Sequence, residues 1–188
     1  CLLGLLVALI RMSRSKVLGA VSHAYIEVLR GTPVLLQLYF FWIGLPKLVP
    51  FELSDTQCIV AALVVNASAF ISEIIRAGIG AVDKGQWEAA RSIGLSEVHV
   101  MTHVILPQAI KNILPALCNE FIVLVKETAI VGYVGLMDIQ KAGDFIKSAT
   151  FEAFMPLIAV AIVYYVIIKL LTLIFKQVEN HLRKSEVR

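Results

Sequence analysis

Residues 155–175 read MPLIAVAIVYYVIIKLLTLIF, an apolar run with a single ionisable side chain of the Asp, Glu, Lys or Arg type, Lys169. A helix of that length rises about 30 Å, the thickness of a bilayer's hydrocarbon core. Lys169 stands toward one end, where its four-carbon stem lets the ammonium reach the surface. Outward from this run the pattern returns in apolar blocks at 1–10, 17–45, 57–82 and 113–136. The chain is 59% hydrophobic and 16% charged, with a mean hydropathy of +0.82. Soluble domains hold roughly 45–50% apolar and about 25% charged residues. In water such a chain exposes large apolar patches and aggregates. The expectation is an all-α polytopic membrane protein of about five transmembrane helices, forming a single domain over residues 1–188.

The block at 1–10 covers only about 15 Å as helix, half a bilayer core. No basic region precedes it, and neither a cleavage pattern nor a polar linker follows. The chain is therefore read as starting at Cys1 partway through its first span. Cys1, Cys58 and Cys118 are scattered without CxxC spacing and read as small apolar filler. The block at 17–45 is interrupted by Arg30-Gly31-Thr32-Pro33. Thr32 and Pro33 suit an N-cap and first helical position, so a fresh helix is expected there, with a separate or kinked amphipathic stretch before it. Gly44-Leu45-Pro46 and Pro50 are expected to end it. Basic residues in short loops set orientation. One side collects Arg11, Arg14, Lys16, Lys84, Arg91, Lys111, Lys176, Arg183, Lys184 and Arg188. The other mixes Lys47, Lys141 and Lys147 with Glu52, Asp55, Asp138, Asp144 and Glu152. The first side is read as cytoplasmic, which places the C-terminus inside.

The longest stretch between spans, about 83–112, lies on the basic side and reads as helical. Gln86 to Ile93 are good helix formers, Gly94 stops them, and Ser96 can cap a second helix carrying Glu97 in its first turn. Pro107 and Pro115 punctuate the return to the membrane. Within this loop stand Glu88-Ala89-Ala90-Arg91-Ser92-Ile93-Gly94 and, further on, Val104-Ile105-Leu106-Pro107. The pattern resembles the EAA loop of ABC-importer permeases: Glu-Ala-Ala, three residues, Gly, nine residues, Ile, one residue, Leu-Pro. Val104 stands where that pattern has Ile. Ala89 and Ala90 give a helix so slight that it can seat in another protein's groove, with Glu88 at the rim and Gly94 as the sharp turn. An amphipathic interfacial loop is the plainer reading of Glu-Ala-Ala alone; the full spacing favours a coupling helix.

Three further stretches are similar to the polar amino acid permeases of the histidine, arginine, glutamine and glutamate type. They are Arg30-Gly31-Thr32-Pro33 with Leu35-Leu36-Gln37, Phe70 to Ile79, and Asn119-Glu120-Phe121 through Lys126-Glu127-Thr128. The resemblance implies a multi-pass permease of the bacterial inner membrane that moves a polar amino acid by alternating access. It implies a second permease subunit, identical or sister, two ATP-binding-cassette ATPase subunits and an extracytoplasmic amino-acid-binding protein. No GxxxxGK[ST] loop occurs in the chain, so it is not expected to be an enzyme. It is expected to bind no cofactor, with ATP and magnesium on the partner ATPase. Nucleic acid is not an expected partner. Alternatives are a permease for another small solute such as methionine, or a secondary transporter driven by an ion gradient.

Ionisable groups inside spans cost about 2.5–3.5 kcal/mol each on insertion scales and face a cavity or a partner. Ser68 and Ser72 lie one turn apart beside Glu73, a polar stripe that either lines a passage or packs a neighbouring helix. Glu73 can also pair with Arg76 at i, i+3. The resemblance implies that the Ser72-Glu73 region and Asn119 border the transported amino acid. His99 and His103 are spaced i, i+4 without an HExxH glutamate or a third ligand nearby, so they read as interfacial and no metal site is expected.

Overall fold

The structure, a computed structural model, describes residues 2–13 and 15–184, apart from the side chains of 181–184. Cys1, Arg14, Arg188 and the side chains of Arg183 and Lys184 lie outside the described residues. Every regular element among the described residues is helical.

The hub is α5, Asp55–Gly80. It begins in a capping box: Ser54 Oγ accepts the Gln57 N–H at 3.3 Å and Gln57 Oε1 accepts the Ser54 N–H at 2.9 Å. Its buried side chains are mostly small, among them Ala62, Ala67, Ser68, Ala69 and Ser72. Small residues let neighbouring backbones come close. Two helices exploit this, α1 (Leu2–Arg11) and α8 (Leu106–Glu127). Gly4 of α1 rests on Ile71, and a Cβ on Gly78 would collide with Ile113 of α8.

The block at 17–45 becomes two helical rods, α2 (Lys16–Gly31) and a second that holds α3 (Val34–Tyr39) and α4 (Leu45–Leu48), bent by 108°. Thr32 is not the N-cap of the second rod. Its hydroxyl donates to the Val28 carbonyl at 2.8 Å and closes α2, so Pro33 takes the cap position and α3 starts at Val34. The helix ends between the two expected prolines, at Leu48, just before Pro50. A π turn over Phe40–Gly44 carries it past Pro46 to Leu48. A second π turn, Val100–Ile105, precedes Pro107 in the same way. Proline has no N–H to donate and its ring crowds the carbonyl four residues back. A widened turn relieves that clash without breaking the rod.

The fourth block also moves. The helix expected at 113–136 runs instead from Leu106 to Glu127 with Pro115 inside it, and a 3-10 segment, Thr128–Val134, follows. Gly135 at φ +90 turns the chain out. The stretch after it, read as loop, holds α9 (Ile139–Thr150), capped by Asp138 Oδ1 accepting the Lys141 N–H at 2.7 Å. Gly143 of α9 packs on Val160 of α10, which spans Phe154–Lys184. By length and composition, α5 and α10 are each able to cross a membrane, and the bent pair is a third candidate; α1 is a shorter apolar helix.

Candidate functional site

The loop between α5 and α8 is a compact helix-turn-helix. Helix α6 spans Lys84–Ser92 and α7 spans Glu97–His99, the latter capped by Ser96 Oγ. Between them the Leu95 N–H reaches the Ala90 carbonyl at 3.2 Å and the Gly94 N–H reaches Arg91 at 3.0 Å, with Gly94 at φ +87. This is a Schellman turn, which needs glycine at the left-handed position and an apolar contact between the residue after it and the one four before it. Leu95 and Ala90 supply that contact, so the spacing from Glu-Ala-Ala to Gly is the spacing of the turn itself. Ala90 is 5% exposed and packs with Val100 and Ile105, flanked by Trp87 and Val82. Glu88, Ala89 and Gly94 are exposed, as are Ile93 and Val98. The two alanines therefore differ: Ala90 is small to suit its own chain, and Ala89 faces outward.

The second site is a partly exposed cluster of charge where α1, α2 and α5 meet. Glu73 on α5 receives Arg76 through Nε and Nη2 at 2.9, 3.1 and 3.2 Å. Arg11 Nε, from the last turn of α1, lies 3.1 Å from Glu73 Oε1. Arg30 Nη1, from the last turn of α2, is 3.9 Å from Oε2 and its guanidinium lies 5.3 Å from the centre of the Phe70 ring. Beside this cluster opens a cavity of about 340 Å³ lined by Arg11, His23, Glu27, Arg30 and Glu73, with Ile26 and Gly31. Its α2 residues recur at helical spacing on one face, while Val17, Val21 and Val28 of the same helix are exposed elsewhere. A helix that turns charge toward the body and aliphatic side chains outward has the polarity expected when lipid lies outside and water within.

The sequence-derived candidates separate. Glu73 lines the charged cavity. Ser72 is fully buried and donates to its own helix at Ala69 O, 2.8 Å away. Ser68 is 2% exposed, donates to Val65 O at 2.7 Å and meets the Tyr25 hydroxyl at 2.7 Å. Asn119 is exposed on α8 and borders a different cavity of about 230 Å³, shared with Thr172, Phe175 and Lys176 of α10. His99 and His103 stack at 5.5 Å on the exposed loop, and no group of three potential metal ligands exists among the described residues. Sequence reading missed Arg11, His23, Glu27 and Arg30 as members of one site. The signal for three of them was the period: His23, Glu27 and Arg30 fall on one face of a helix.

A buried amide pair fixes the elbow that brings Arg30 to Glu73. Gln37 Nε2 donates to Leu29 O at 2.7 Å and to Thr32 Oγ1 at 2.8 Å, satisfying carbonyl and hydroxyl acceptors where α2 ends. Asn66 Nδ2 donates to Gln37 Oε1 at 2.9 Å and ties the elbow to α5. Gln37 and Asn66 are 7% and 3% exposed, so water cannot readily replace either partner.

Comparison with known proteins covers nearly the whole chain. The arginine transport system permease protein ArtQ of Bacillus subtilis (strain 168) is 42% identical over 185 residues, spanning 98% of this chain and 84% of that protein. The probable glutamine ABC transporter permease protein GlnM of the same organism is 42% identical over 183 residues, 97% of this chain and 84% of that one. A crystal structure of an amino acid ABC transporter with histidines superposes with a TM-score of 0.90 at 46% identity, covering 96% of this chain and 84% of that chain. The MetNI methionine ABC transporter in an inward-facing form shares the fold at TM-score 0.76 and 20% identity, again over 96% of this chain and 84% of that one. With residues 1–184 matching its model, the chain belongs to the family of binding-protein-dependent transport system inner membrane components.

Proposed function

We propose that this chain is the permease subunit of an ATP-driven importer for a polar amino acid. The observation that carries the reading is full-length similarity to amino acid permeases in a molecule whose helical body holds a cavity with both signs of charge. A zwitterion needs both signs. Two permease subunits, identical or sister, would enclose the passage, with Glu73 and the Asn119 region as polar positions along it. Ser68 and Ser72, whose hydroxyls bond within their own helix and to Tyr25, serve the packing that holds Glu73 in place. ATP and magnesium would bind the partner ATPases, which grip the outer face of α6 at Glu88 and Ala89 and swing it about the Gly94 turn. An extracytoplasmic binding protein would deliver the amino acid. In this arrangement the basic loops and C-terminus are cytoplasmic, and ATP with delivered substrate together bias one of two states.

The exposure of Ala89 fixes the test. A single cysteine at Ala89, in a background lacking Cys1, Cys58 and Cys118, is expected to crosslink to the co-expressed ATPase in a manner that changes with ATP. A cysteine at Ala90 is the internal control and should react slowly. Absence of any crosslink in full-length, inserted protein, together with uptake that survives without the ATPase, would hand the assignment to a gradient-driven carrier.

A further inference from the structure

Resting on the amino acid reading above, we propose that Arg30 and Glu27 of α2 read the groups common to every α-amino acid: the Arg30 guanidinium takes the carboxylate and the Glu27 carboxylate takes the ammonium. The argument starts from which charges in the cavity are already used. Both oxygens of Glu73 carry hydrogen bonds from Arg76, and Oε1 also lies 3.1 Å from Arg11 Nε. Arg11 spends a second donor on His23 Nδ1 at 3.0 Å. Arg30 stands 3.9 Å from Glu73, beyond hydrogen-bond length, with its side chain 45% exposed at the cavity wall. It is the cation of the cluster held least tightly by Glu73.

Three features prepare Arg30 to take a carboxylate. Its head is placed over the Phe70 ring, which orients the guanidinium plane. Its backbone sits in the turn of α2 that the Gln37–Asn66 pair holds. Its planar fork matches the two oxygens of a carboxylate, as an ammonium does not. Glu27 lies three residues earlier on the same helical face and lines the same cavity, so the two opposite charges are neighbours. Arg11, Arg30 and Arg76 against Glu27 and Glu73 leave the cluster one formal positive charge, and a zwitterion enters without changing that balance. Selection among side chains is left to other parts of the passage.

The test uses the permease assembled with its ATPase in lipid nanodiscs, without binding protein, so that discrimination belongs to the membrane subunit. Binding of radiolabelled L-arginine and L-glutamine is measured against the parent acids, L-argininamide and L-glutamine amide, and the N-acetyl acids. In the wild type, the amides and the N-acetyl acids are expected to compete at least about tenfold more weakly than the parent acid, because a site built for a charged group rejects an analogue lacking it. Arg30→Gln should bring acid and amide within about twofold while still rejecting the N-acetyl acid, and Glu27→Gln should do the reverse. Arg30→Lys, which keeps the charge and loses the fork, should fall between and stands in if Arg30→Gln does not assemble. Full discrimination retained in Glu27→Gln and in either Arg30 variant overturns the proposal while leaving the amino acid reading intact. If the wild type binds neither labelled amino acid, the amino acid reading itself fails, and this one with it.

Discussion

Helices α5 and α10 are both long and apolar enough to cross a bilayer, yet they are built for opposite surroundings. Half of the most apolar stretch of α5 is buried, against none of the corresponding stretch of α10, which is the more apolar of the two. Greater hydropathy thus goes with less burial. In water that order would be perverse; in lipid it is ordinary, because the hydrocarbon tails solvate α10 as well as a protein core would. The interior helix is the one carrying Asn66, Ser68, Ser72 and Glu73, since polar groups in a membrane need protein partners. Its small residues are what allow α1 and α8 to reach it.

The contrast is sharpest at the charges each helix carries. Glu73→Ala removes the one carboxylate shared by Arg11, Arg30 and Arg76. Stranding those cations should cost about 2–3 kcal/mol, below the range for a fully buried pair because Glu73 and all three arginines keep some exposure. Lys169→Ala, at an exposed site on α10, should cost under about 0.5 kcal/mol. Thermal unfolding of the purified variants in detergent compares the two. Similar losses at both sites would break the contrast.

Placing a charge on the outward face of α10 tests its solvent. Ile162 is 56% exposed, so Ile162→Lys would be harmless on a water-facing helix. Against lipid it should penalise insertion by about 2.5–3.5 kcal/mol, read as the fraction of chains whose last span integrates. Packing supplies the next test. Gly78→Ala drives a methyl group into Ile113 and should destabilise by about 1–3 kcal/mol, whereas Ala161→Val on exposed α10 should stay within about 0.5 kcal/mol. The last test lies in the turn between α6 and α7. Gly94→Ala forces a side chain into φ +87 and should lower stability by about 1–2 kcal/mol. Its more telling consequence is expected to be weaker coupling of ATP hydrolysis to uptake, measured as transport per ATP in proteoliposomes.

Much of this was legible in the chain. Apolar blocks of bilayer length announce the membrane without any contact being known. Gly94 and Ser96 mark a helix end and a helix start through local chemistry, so the two helices of the loop between α5 and α8 followed from a few neighbouring residues. The misses share a cause. Pro46 looked like part of a helix end, and Pro107 and Pro115 like breaks before a span at 113, because a proline disrupts an α turn; a π turn absorbs it when the flanking rod is held by packing. Helix α9 was passed over because its few apolar side chains, such as Phe145 and Ile146, are diluted by Lys141, Asp144 and Lys147.

The sequence by itself determined the solvent of this protein, its all-helical class and the helix ends at Gly94 and Ser96, because these depend on composition and on residues within one or two turns of each other. Tertiary structure alone decided which alanine of the α6 helix faces outward, which serines are sealed, and that Arg11, Arg30 and Arg76 meet on Glu73. Those outcomes hang on a 108° bend and on helices brought together from distant parts of the chain. Charges far apart in sequence have no fixed distance until packing supplies one, and solvent-exposed charges beyond about 8 Å apart in physiological salt are largely screened from each other.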